Sequence, residues 1–162
     1  MSTIWVALVA AVASLGGVVM GSVLEPIKLA AARRARAREL LMERCTTFVE
    51  AAVKARSRSL QINRLHRKAN GGEEINADDL RTAEKDYWQA RDEIIRLATV
   101  FRLSGPRHLA DLSHHVRNAD YGVRENHQAP DRTGPRSIED AVDALDDSIK
   151  SFMESARRHM QR

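Results

Sequence analysis

The sequence predicts an all-α protein: an N-terminal transmembrane helix, then a long basic helix, then an antiparallel helical bundle. Three observations lead there. Residues 4–24 carry no charge; apolar residues recur at three-and-four spacing through most of the remaining chain; and the four prolines stand at or near segment boundaries. With 162 residues there is room for one sizeable soluble domain, which excludes a multidomain enzyme. Few aromatic and β-branched residues beside abundant Ala, Arg, Glu and Leu favour helix over sheet. A single cysteine excludes an internal disulfide framework.

Residues 1–25 are read as the membrane anchor. From Ile4 to Leu24 the chain runs about 21 residues without charge, and at ~1.5 Å per residue this crosses a ~30 Å hydrocarbon core. A cleaved leader fits less well, because Met1-Ser2-Thr3 lacks Lys or Arg, the apolar run is longer than an h-region, and no convincing small-x-small cleavage site precedes Glu25. Lys28, Arg33, Arg34, Arg36 and Arg38 follow at once. The positive-inside rule then puts the N-terminus outside and the C-terminal part in the cytoplasm, a single pass. Ala13, Gly17 and Gly21 share one helix face at a spacing of four, where a second span could approach closely.

Residues 26–40 are read as a basic stalk whose five cations face anionic lipid headgroups. The helix resumes after Pro26 and meets no Gly or Pro until Asn70-Gly71-Gly72, about 43 residues or roughly 65 Å later. Its outer part carries Leu41, Cys45, Phe48, Ala52, Ala55, Ser59 and Ile62 as one narrow seam. Residues 41–162 form the bundle. Asn76 caps the second segment, whose stripe is Leu80, Ala83, Tyr87, Ala90, Ile94, Leu97 and Phe101, widened by Trp88, Ile95 and Ala98. Ser104-Gly105-Pro106 breaks it, and Leu109, Leu112, Val116, Ala119 and Val123 supply the third. The pattern fades into a loop over 125–136. Ser137 caps the last segment with Asp140 in the capping-box position, and Ile138, Val142, Leu145, Ile149, Phe152 and Ala156 form its seam. Acidic residues early and basic residues late in this segment suit the helix dipole.

The net charge of +4 is unevenly spread. Residues 25–68 hold twelve basic and four acidic side chains, so the basic field adjoins the expected membrane. A lipid surface is therefore the first partner; no nucleic-acid-binding motif accompanies the basic charge. Arg56, Arg58, Arg64, Arg67 and Lys68 extend that charge outward, either as a solvated face or as a dock for an acidic partner.

Chemistry-bearing motifs are sparse. His108, Asp111, His114 and His115 lie within two helical turns and His127 follows, but the facing seams are apolar, so these read as surface residues and no metal is expected. Cys45 lies on an apolar seam as a small hydrophobe. Gly71-Gly72 precedes acidic residues instead of Lys, and no nucleophile-elbow or zinc-helix motif occurs. Neither an enzymatic activity nor a cofactor is expected.

The stretch 94–112, Ile-Ile-Arg-Leu-Ala-Thr-Val-Phe-Arg-Leu-Ser-Gly-Pro-Arg-His-Leu-Ala-Asp-Leu, and the order of span, Arg-rich helix and bundle resemble those of small single-span bacterial membrane proteins of actinobacterial type. The resemblance is one of layout, and it implies a cytoplasmic helical bundle without implying an activity. The expectation is a membrane-anchored, cytoplasm-facing interaction or scaffold module that pairs with itself or another protein. The alternative is a phage-type membrane-perturbing or lysis-accessory protein.

Overall fold

The computed structural model describes residues 2–128 and 137–161, with side chains from 27 to 125 and from 137 to 161. Among these residues there are four helices and no strand: α1 (Ser2–Asn70), α2 (Ala77–Ser104), α3 (Arg107–Gln128) and α4 (Ile138–Met160). The chain divides into two units, Met1–Leu40 and Leu41–Arg162. No helix among the described residues is long and apolar enough to cross a membrane. The apolar run at 4–24 to which the sequence assigns the span, with Ala13, Gly17 and Gly21, lies outside the residues whose side chains are described.

The helix ends follow from local chemistry. At the end of α1 the Gly71 N–H donates to Arg67 O at 3.0 Å and the Glu73 N–H to Lys68 O at 3.0 Å. Gly72 sits at φ 80°, where a side chain would be strained. Asn76 caps α2 by accepting from the Asp78 N–H at 3.0 Å. Gly105 ends α2 by donating to Phe101 O at 2.9 Å. A Cβ there would stand 2.8 Å from that oxygen and 3.0 Å from the Phe101 Cα, so this turn closes tightly against a core residue.

Helix α3 runs to Gln128, four residues into the stretch expected to be loop. Glu125 to Gln128 contain no breaker, and the helical conformation is disfavoured only at Ala129, the residue before Pro130. The rest of that loop, 129–136, lies outside the described residues.

Ser137 and Asp140 close a full capping box. The Ser137 hydroxyl accepts from the Asp140 N–H at 3.2 Å, and the Asp140 carboxylate accepts from the Ser137 N–H at 3.0 Å. Ser137→Ala is expected to cost about 1 kcal/mol in urea unfolding while Ser137→Asp retains most of it. An unchanged midpoint for the alanine variant would show that the box adds nothing.

Within Leu41–Arg162 the helices alternate up and down in the cyclic order α1, α2, α3, α4. Arg44 on α1 reaches Ser104 at the end of α2 (3.4 Å), whereas Arg58 pairs with Asp86 nearer its start (2.7 Å). Arg56 meets Asp146 at 3.1 Å and Arg67 meets Glu139, which sets α1 antiparallel to α4. Tyr87 and Asp120 join α2 to α3, and the rings of His108 and His159 lie 4.9 Å apart between α3 and α4.

The core is one contiguous apolar cluster. Eight of its 22 buried members are alanine, which brings the helices close but buries little surface at each position. The bulk comes from Phe48, Phe101 and Phe152, each nearly inaccessible. Their ring centroids lie 4.7 to 5.6 Å apart, on α1, α2 and α4.

Candidate functional site

Three places carry chemistry beyond packing: the exposed basic stretch ahead of the bundle, a buried polar cluster between α2 and α3, and an apolar groove between α1 and α4.

Lys28, Arg33, Arg34, Arg36 and Arg38 are all exposed. Among the described residues none is paired with a carboxylate. The cations further along α1 behave differently. Arg56, Arg58 and Arg67 are taken up by Asp146, Asp86 and Glu139 of neighbouring helices, Lys54 lies 3.7 Å from Asp86, and Lys68 pairs with Glu73 at 3.3 Å. Much of the outer basic face is thus spent on alignment within the bundle. Each such partly exposed pair contributes about 0–1 kcal/mol and serves mainly to fix helix pairing. Among the described residues of α1, Arg44 and Arg64 also lack a carboxylate partner, so the five cations before residue 40 are the densest run of such charge on this helix.

The polar cluster centres on Asp120, which is 1% exposed. Its carboxylate accepts from the Tyr87 hydroxyl at 3.3 Å and lies 3.3 Å from the Arg91 Nε. Burial pushes its pKa from 3.8 up to about 6, against the pull of Arg91, the Tyr87 hydrogen bond and Arg124. The Tyr87 hydroxyl is raised from its ordinary value, first by burial and then by the Asp120 charge. Outside this pair, Trp88 is 38% exposed, with the guanidinium carbons of Arg91 and Arg124 at 5.4 and 5.8 Å from its ring centroid. Arg124 also lies 5.5 Å from the Tyr121 ring. Arg91 thus pairs with the buried carboxylate and lies over Trp88, while Arg124 acts on it through its field and lies between the Trp88 and Tyr121 rings, an arrangement that holds charge in a poorly hydrated place. Asp120 is closed to solvent, so the cluster reads as a polar lock between two helices and offers no carboxylate to a substrate.

The spacing expected for α3 misses this lock. Leu112 and Ala119 are half-buried, while the fully buried line is Leu109, Ser113, Val116, Asp120 and Val123. Ser113 enters because its hydroxyl donates to Ala110 O at 2.8 Å. The signal was present on α2: a tyrosine on an apolar seam needs a hydroxyl partner, and Arg91 one turn later needs an anion.

The groove between α1 and α4 has a volume of about 430 Å³ and is lined by Cys45, Val49, Glu50, Met153, Ala156 and Met160 among others. Cys45 is buried, and burial raises its thiol to about 11, so it stays protonated and unreactive. The histidines do not converge. The His108 ring is tilted 46° to that of His159, and His114 contacts Arg117 and Asn118 on its own helix. His127 lies outside the residues with described side chains. Among the described residues no group of three or more His, Cys, Asp or Glu could hold a metal ion. No family model, curated protein or solved structure matches the chain.

Proposed function

We propose that the chain is a membrane-anchored helical interaction module: residues 4–24 span a bacterial inner membrane once, and the bundle serves as a cytoplasmic docking or scaffold domain. The observation that carries this reading is the uncharged run followed by five cations that are exposed and have no carboxylate partner among the described residues. Apolar burial in lipid supplies the anchor. Each arginine near an anionic surface adds on the order of 1 kcal/mol and opposes translocation of its side of the span.

Protease access to the bundle in inverted and right-side-out vesicles tests both anchor and direction. The bundle is expected to be cut only where the cytoplasmic face is outward, and the protein should resist carbonate extraction. Replacing Arg33, Arg34, Arg36 and Arg38 together by Gln should raise the fraction of inverted molecules several-fold. Extraction by carbonate, or an orientation indifferent to the four arginines, would overturn the reading.

A further inference from the structure

We infer that the α2–α3 face around Trp88 and Tyr121 docks an acidic segment of a partner protein, with Arg124 receiving its carboxylate. The inference rests on the docking half of the proposed function and is independent of the membrane anchor. Trp88 and Tyr121 are 38% and 47% exposed. The Arg124 guanidinium lies between their rings, 5.8 and 5.5 Å from the two centroids. Ile95, half-buried two turns beyond Trp88 on the same side of α2, extends the apolar rim. Trp, Tyr and Arg are the residues that most often dominate binding at protein interfaces. Here the three are gathered before any partner arrives, so less side-chain freedom remains to be lost on binding.

The balance of charge says what this face accepts. Asp120 is closed to solvent and paired with Arg91 at 3.3 Å, so it has nothing left to offer the second guanidinium directly. Arg124 is left without a carboxylate in ion-pair distance among the described residues. Glu84 and Glu125 are exposed nearby in the chain, and neither pairs with it. The Arg124 Nε is shut off from water without a hydrogen-bond partner, so the terminal nitrogens are the donors it can present outward. A carboxylate takes such a fork through two parallel hydrogen bonds. Arg117, one turn before Tyr121, adds a second cation without a carboxylate partner among the described residues, its guanidinium 3.3 Å from the His114 ring nitrogen.

The rings separate a protein partner from a nucleic acid. Single strands bind by stacking their bases on aromatic faces. Guanidinium groups already lie over both rings, Arg91 and Arg124 over Trp88 and Arg124 over Tyr121. An Asp or Glu side chain needs only the fork, and its neighbours in a peptide can lie against the ring edges. The receiving cation is already poorly hydrated, so the new pair loses less in dehydration than one formed between two fully exposed charges.

Titration of the full chain in neutral detergent with a blocked peptide of alternating Glu and Ala tests this. Trp5→Phe serves as background, so that Trp88 is the remaining tryptophan, and its emission is read beside the anisotropy of a dye on the peptide. Both should change saturably, with half-saturation below about 1 mM. Arg124→Gln should weaken binding at least about tenfold, and Arg124→Lys, which keeps the charge without the fork, should recover only part of it. Arg102→Gln, at an exposed position near the end of α2, should change nothing. If Arg124→Gln lowers the urea midpoint, Tyr121→Ala takes its place and should weaken binding several-fold. No saturable change up to ~10 mM peptide would overturn the inference. So would binding that survives Arg124→Gln in an intact bundle; its loss on replacing Arg33, Arg34, Arg36 and Arg38 by Gln would then put the peptide on the basic stretch before the bundle. None of these outcomes requires the chain to embed. Failure here leaves the anchor standing, and failure to embed in vesicles leaves this result intact.

Discussion

Phe152→Ala is expected to remove about 3–5 kcal/mol from the bundle, the cost of deleting a fully buried ring and leaving a cavity. Phe152 has no exposed surface, and its ring lies 4.7 Å from that of Phe48 and 5.5 Å from that of Phe101. The three rings are the chain's entire complement of phenylalanine. The rest of the core is rich in alanine, which fills little of the space such a deletion leaves. Domains of this size are stable by about 5–15 kcal/mol in total, so one substitution consumes a large share. The urea midpoint should fall by about 2 M, while Phe152→Leu should lose much less. A fall of less than half that size for the alanine variant would mean that the cluster is not the bulk of the core.

The visibility of these rings in the sequence shows what periodicity can deliver. Phe48, Phe101 and Phe152 each sit on an apolar line at three-and-four spacing, and all three are buried. The seam of α1 from Cys45 to Ile62 is buried throughout, including Ser59, because a narrow line of small residues has only one way to face a core. Cap chemistry is local and therefore equally legible: Asn76, Gly105 and Ser137 act where their side chains, or the lack of one, require. Contacts between helices are not local. Nothing in the order of residues says that Arg56 spends its charge on Asp146 or Arg58 on Asp86, since these pairs are created by the choice of neighbouring helices. The α3 face is the clearest case. Its apolar residues alone suggest Leu112 and Ala119, yet the helix is turned so that Ser113 and Asp120 point inward. That turn is favoured only once Tyr87 and Arg91 of α2 are present to receive Asp120.

Removing one member of that lock should be costly in a manner that depends on pH. Arg91→Met leaves Asp120 buried without its nearest cation, and breaking a buried pair in this way costs about 3–5 kcal/mol at pH 7. The sign of the pH dependence follows from the direction of the Asp120 shift. Its carboxyl is raised from 3.8 to about 6 in the folded chain, chiefly by burial. The folded state therefore binds the proton more tightly than the unfolded state. The corresponding stability is fully present below about pH 4, erodes as the pH rises from there through about 6, and is gone above it. Asp120→Asn has no such proton to lose. The stability of the wild-type chain relative to Asp120→Asn should decline by up to about 3 kcal/mol between pH 4 and pH 7. Arg91→Met removes a charge that holds the carboxyl down, so its window moves to higher pH and its cost shrinks as Asp120 takes up a proton. Urea unfolding at pH 5 and pH 7 for the wild type, both single variants and Arg91→Met/Asp120→Leu separates these effects. The double variant should recover much of the loss at pH 7, because a missing pair is cheaper than half of one. Parallel pH profiles for wild type and Asp120→Asn would show instead that Asp120 stays ionised throughout, held by Arg91 and Arg124 against its burial.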